Sequence, residues 1–195
     1  MRVRFVHVAA VLALSTPAFA QADPPRGTAT TTIAGQTVTV DYGQPALKGR
    51  TMDALLDQLP ADRIWRAGEN QVTTLTTGTD LLIAGKKVAA GKYSVYVYAP
   101  QTGAWALVLN TDAGKPLGEL WAKAPAAKKD APWPHLEGYQ NIASTEVVRA
   151  PMTSGATNPP AEDFTIAFKP AGKGADLMLS WGDRSWSLDI QPASK

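Results

Sequence analysis

The sequence predicts a mainly β fold, an antiparallel β-sandwich or flattened barrel, carrying one short amphipathic helix. Two observations carry that prediction. Thr-, Val- and Tyr-rich runs recur along the chain, separated by Gly-, Pro- and Asp-containing turn signals. Against them, one segment alone has helical spacing: Met52, Leu55, Leu56 and Leu59 fall at i, i+3, i+4 and i+7. Many short strands with turns between them indicate sheet packed on sheet.

The elements follow in order. TTTIAGQTVTVDY (30–42) is two β-branched runs joined at Ala34-Gly35, the signature of a hairpin. In RTMDALLDQLP (50–60), Thr51 suits an N-cap, Asp53 suits the positive end of the helix, and Pro60 stops it. VTTLTT (72–77) is a further strand, and LLIAGKKV (81–88) repeats the Ile-Ala-Gly turn. In KYSVYVYAP (92–100), Tyr93, Val95 and Val97 alternate with Ser94, Tyr96 and Tyr98. Both faces are largely apolar, which predicts a central strand covered on both sides. WALVLN (105–110) pairs with it across a Pro-Gln-Thr-Gly turn. TEVVRAPM (145–152), DFTIAFKP (163–170), ADLMLSW (175–181) and SWSLDI (185–190) are four more strands. The last two keep a period of two and are expected to form a hairpin through Gly182-Asp183-Arg184.

The N-terminus carries a separate message. Arg2 and Arg4 precede an apolar run, FVHVAAVLALS (5–15), too short to span a bilayer, and Ala18-Phe19-Ala20 supplies small residues before Gln21. Residues 1–20 are therefore expected to be a cleaved signal peptide. No Cys follows to carry a lipid, so the mature chain is expected in the periplasm or outside the cell, without a stable membrane anchor. Residues 21–30 are expected to be a flexible leader, and 31–192 a single sandwich domain with a long loop at about 111–143. Among 195 residues there are 19 Lys+Arg and 17 Asp+Glu; removing Arg2 and Arg4 leaves 17 of each. A neutral mature chain gives no electrostatic case for nucleic acid or a membrane surface.

Chemistry is constrained mainly by absences. There is no Cys, and beyond the leader the one histidine is His135. Thiolate nucleophiles, thiolate metal sites and multi-histidine zinc sites are excluded, and no metal or other cofactor is expected. No G-x-S-x-G elbow, P-loop, dinucleotide fingerprint or EF-hand loop is found. The acids scatter through turns and helix without declaring a catalytic pair.

What stands out is IWRAGEN (64–70), with Lys48-Gly49-Arg50 upstream. Arg66 and Arg50 offer planar forks, Asn70 both donates and accepts, Trp65 offers a stacking face, and Glu69 is an acid beside them. Gly68 is expected to let the backbone turn between Arg66 and Asn70. If extended, Trp65 and Arg66 point to opposite faces. The group suits a small polar or carbohydrate ligand. The reading preferred from sequence is a corner clamp, with Arg66 on backbone carbonyls or on Glu69 or Asp62 and Asn70 closing a turn, on top of which a ligand role is compatible. The leading expectation is a non-catalytic binding or accessory protein with a polar pocket around this element; a hydrolase or lyase acting on carbohydrate or peptide, with Glu69 as base, and a purely structural or interaction module are the competing functional classes.

The order DYGQP (41–45), LKGR (47–50), IWRAGEN (64–70), Thr73-Thr74, IAGKKVAAGKYSVYVYAP (83–100) and WALVLN (105–110) resembles the bacterial family catalogued as domain of unknown function 2911. The resemblance implies an exported protein of this fold and singles out the Trp-Arg-x-Gly-x-Asn element; the family has no assigned activity. Glu69 stands where that family usually has a small residue, and Gln71 where it has Glu.

Overall fold

The computed structural model describes residues 25–112 and 139–193, with positions 116, 118, 126–127 and 129–130 between them. The expected signal segment, residues 1–20, and His135 lie outside the described residues.

Two antiparallel sheets face one another. The first is built from β1 (Arg26–Ile33), β2 (Gln36–Gly43), β4 (Thr73–Thr77), β7 (Gly91–Tyr98), β8 (Ala106–Asn110) and β9 (Glu146–Pro151), in the order β1-β2-β4-β7-β8-β9, with β3 (Ile64–Trp65) also on β7. The second has the order β10-β11-β5-β6, from β10 (Thr153–Ala171), β11 (Gly174–Pro192), β5 (Leu81–Ile83) and β6 (Lys86–Val88). The sheets do not close on each other, so the fold is a sandwich rather than a barrel.

Both predicted Ala-Gly turns are present. Ala34 and Gly35 have φ of 51° and 75°, and Ala84 and Gly85 have 47° and 78°. Two successive left-handed residues make the tight hairpin turn whose twist matches that of the strands it joins. The alternation along β2 and β4 places Val38, Val40, Tyr42 and Leu75 in the core, against Phe164, Ile166, Leu177, Leu179 and Ile190 of the second sheet. Strand β7 is covered on both faces, as its sequence predicts. Tyr93, Val95 and Val97 face the inter-sheet core, whereas Tyr96 joins Ile64, Val72, Val108, Tyr139 and Ile142 in a second apolar cluster.

Three expectations need correction. The leader is shorter than predicted: Arg26–Thr30 already pair with Thr39–Gly43. The expected hairpin at Gly182 is instead one long strand, β11. Gly182 takes φ 60° and sits at a register irregularity opposite Ala161, so it bends the strand without reversing it. The partner strand β10 runs from Thr153 to Ala171, well beyond the predicted 163–170, and takes in Asn158-Pro159-Pro160. Prolines fit there because β10 is an edge strand and they fall in the register irregularity between Ala156 and Ala161, where no residue pairs with β11.

The helix α1 (Met52–Leu56) is shorter than its apolar pattern, but the face is as predicted. Thr51 caps it, its hydroxyl accepting from the Ala54 amide at 3.2 Å. Beyond Leu56 the chain continues in turns that still press Leu59 on the core.

Candidate functional site

Strands β3 and β4 lie on the same side of β7. Ile64 and Trp65 pair with Tyr98 and Val97, and Thr73 resumes pairing at Val95. The chain from Arg66 to Val72 is therefore a loop thrown out of an interrupted strand, spanning a single partner residue, Tyr96. It carries two non-glycine residues in the left-handed region, Ala67 at φ 52° and Asn70 at φ 60°. Such backbone is sparsely populated and marks sites that the surroundings over-determine.

The surroundings here are close. The Thr73 hydroxyl donates to the Ala67 carbonyl at 2.7 Å and ties the loop's ends together. Gly43 of β2 packs directly on the loop: a Cβ there would lie 2.2 Å from the Glu69 carbonyl oxygen. A Cβ on Gly68 would lie 2.8 Å from the Thr73 hydroxyl and 3.1 Å from the Gly43 carbonyl oxygen. Gly68 thus serves close approach, not the turn expected of it; Ala67 and Asn70 supply the turn.

Trp65 and Arg66 were expected on opposite faces, yet both line one cavity, because the strand ends at Trp65. The cavity measures about 190 Å³. Its walls come from α1 and the following turn (Met52, Leu55, Leu56, Gln58, Leu59), from the end of β3 and the loop (Trp65, Arg66, Gly68, Glu69), and from Trp105 and Trp181. Arg50 also lines it, but that guanidinium is committed to the Leu47 and Ala46 carbonyls at 2.8 and 2.9 Å. Asn70 is exposed and is not among the lining residues. Of the five residues singled out from sequence, four therefore meet at the cavity.

Trp65 presents less free ring than a stacking platform needs. It stacks on Trp181 with centroids 5.3 Å apart at 17°, and Phe164 meets it edge-on at 4.8 Å. The Arg66 guanidinium is partly buried, and burial lowers its pKa, partly offset by the Glu69 carboxylate. Arg50, Gln58, Arg66 and Glu69 are the charged and polar side chains on a wall otherwise aliphatic and aromatic, the composition of an ordinary small-molecule site.

The carbonyl-clamp geometry considered for Arg66 is displayed by Arg63, which the sequence reading missed. Its guanidinium donates to the Ala99 carbonyl at 2.9 Å and the Leu56 carbonyl at 2.7 Å, fastening helix to sheet. Its φ of 56° is invisible in sequence. A second hollow of about 540 Å³ lies beside Arg63, Tyr98 and Gln101; it is open and mainly polar, and Arg63 is already engaged there.

A second polar group lies on the far face of β7. Ser94 donates to the Asp112 carboxylate, and Tyr96 donates to it at 3.2 Å. Asn110 donates to the Ile142 carbonyl at 2.7 Å and accepts from Thr145 at 2.7 Å. Nearby, Tyr139 donates to Glu146 at 2.7 Å, and Arg149 meets the same carboxylate through two bonds at 2.9 and 2.8 Å. Burial raises the Tyr96 and Tyr139 phenols well above their usual range, with Asp112 and Glu146 adding to it. Donors and acceptors here are matched to one another, which is how a network holds a fold together. No group of three or more His, Asp or Glu able to hold a metal ion occurs among the described residues.

Residues 24–190 match the family described as "Protein of unknown function (DUF2911)". The chain belongs to this family. No curated protein and no solved structure matches it. The family match covers the sandwich, the 66–72 loop and the cavity together, and it leaves function to be argued from the site.

Proposed function

We propose that this family member is an exported, non-catalytic binding or accessory protein that holds a small molecule in the cavity between α1, the 66–72 loop and β11. The observation that carries the reading is the partly buried Arg66 guanidinium on the wall of a cavity lined mainly by Leu, Met and Trp side chains, with Arg50, Gln58 and Glu69 beside it. Concave, mostly apolar sites with a few fixed polar groups are the ordinary form of small-molecule sites. The strained loop that presents Arg66 points the same way, since such backbone concentrates at ligand clamps.

Export is supported by the basic start, short apolar run and Ala-x-Ala site of residues 1–20. Among the described residues, no helix is long and apolar enough to cross a membrane.

The hydrolase or lyase reading depends on Glu69, the one carboxylate among the lining residues. Glycoside cleavage ordinarily needs two carboxyl groups flanking the bond. The binding reading asks for no second acid. The test is a melting-temperature screen of the mature protein against small sugars, carboxylates, amines and peptides. We expect at least one compound to raise Tm in a concentration-dependent way, with the shift abolished by Arg66→Ala. Turnover of a glycan or peptide that is lost in Glu69→Gln would instead establish the enzyme reading.

A further inference from the structure

Trp181 is 6% exposed and lines the cavity, and its indole N–H is buried with no acceptor among the described residues. A buried donor left unmatched is costly and uncommon in native proteins, so each instance asks for a reason. Packing does not supply one. The ring's place is fixed by Trp65, stacked at 5.3 Å, and Phe164, edge-on at 5.8 Å; neither contact needs a polar atom at Nε1.

We propose that the cavity takes a small carboxylate with an aromatic or branched aliphatic body, its oxygens received by Arg66 and the Trp181 indole N–H. This rests on the binding reading above and names the ligand class. Three properties of the wall select that class. Its charges are Arg50, Arg66 and Glu69, a surplus of one positive charge, which favours an anion over a cation. Its remaining surface is dominated by α1 leucines and tryptophan rings, which an inorganic anion leaves uncovered. Its volume, about 190 Å³, compares with the roughly 150 Å³ that holds a benzene-sized molecule in an apolar cavity. A sugar fits less well. Its ring hydroxyls need several polar partners, and the Trp65 ring is already stacked on Trp181.

The indole nitrogen is closed to a water-sized molecule from the cavity as well as from bulk solvent, so an incoming oxygen reaches it through movement of the wall. Met52 is suited to that movement. It lines the cavity, its side chain lies over Gly182 next to Trp181, and an unbranched thioether readjusts at low cost.

The experiment is calorimetric titration of the mature protein with phenylacetate, benzyl alcohol, acetate and glucose. In parallel, the indole N–H resonances are followed in ¹⁵N-labelled protein. We expect saturable phenylacetate binding at least about tenfold tighter than benzyl alcohol or acetate, the advantage of a charge-assisted hydrogen bond joined to apolar burial. We expect the Trp181 N–H resonance to move downfield on binding. Trp181→Phe keeps the ring and removes the donor, and is expected to weaken phenylacetate about tenfold. Arg66→Gln is expected to erase the preference for phenylacetate over benzyl alcohol, and it decides the carboxylate assignment even if Trp181→Phe does not fold. Glucose binding through Arg66 without phenylacetate binding overturns the carboxylate assignment and leaves the binding reading standing. Phenylacetate binding with the Trp181 resonance unmoved and Arg66→Gln unaffected also overturns the assignment. Absence of any ligand, here and in the wider melting screen, overturns both.

Discussion

Arg63 and Arg66 stand three positions apart, and the binding reading gives them different roles. Arg63 fastens the end of α1 to the residue after β7 by two carbonyl bonds. Removing it leaves the Leu56 and Ala99 carbonyls without those donors. Arg63→Ala is therefore expected to cost about 2–3 kcal/mol in denaturant unfolding. Arg66→Ala is expected to cost about 1 kcal/mol or less while ligand response is lost, since binding groups are seldom placed for stability. A loss as large as that of Arg63→Ala would make Arg66 a structural clamp instead. The sequence displays both arginines but not the clamp at Arg63, because it depends on which carbonyls the folded chain brings within reach. Gly43 makes the same point. DYG (41–43) and IWRAGEN (64–70) are visible as separate motifs, yet the need for glycine at both Gly43 and Gly68 comes from their mutual contact.

Among the elements, legibility followed how local the cause was. The two Ala-Gly turns and the two-faced strand β7 are written in neighbouring residues, and they were readable. The ribbon of β10 and β11 was not, because Gly182 and the two prolines signal turns locally but are overruled by edge placement and a bulge. The Asp112 and Glu146 networks escaped as well, since their partners are far apart in sequence or hidden inside a strand pattern.

The link from β9 to the segment before it carries its own prediction. Burial raises the Glu146 pKa, but hydrogen bonds from Arg149 and Tyr139 and the Arg149 charge outweigh it, leaving the carboxyl below its usual 4.5. Its stabilising contribution is thus fully present above about 4.5 and is lost as pH falls through the lower folded-state value. Glu146→Gln should be less stable than the parent at pH 7. Its melting temperature should also fall less steeply on acidification below about pH 4.5. Parallel acid melting curves for the two proteins would contradict this.

At the scale of the whole molecule, the sandwich acts as a frame for one interrupted strand. Pairing to β7 on both sides of the 66–72 loop fixes the loop's two ends, and α1 closes the cavity from the other side. The leader belongs to the same scale. Intact mass of the protein from its native host is expected to correspond to a chain beginning at Gln21, and retention of residues 1–20 would contradict export by cleavage. The central claim, that the cavity beside Arg66 is a ligand site, is tested most directly by locating a bound molecule. The measurement is a crystal structure of the mature protein with the compound that gives the largest melting shift. The account predicts density between α1 and Trp181, with a polar atom of the compound within hydrogen-bonding distance of the Arg66 guanidinium. Density confined to the open hollow beside Arg63 and Gln101, with the Arg66 cavity unchanged, would contradict it.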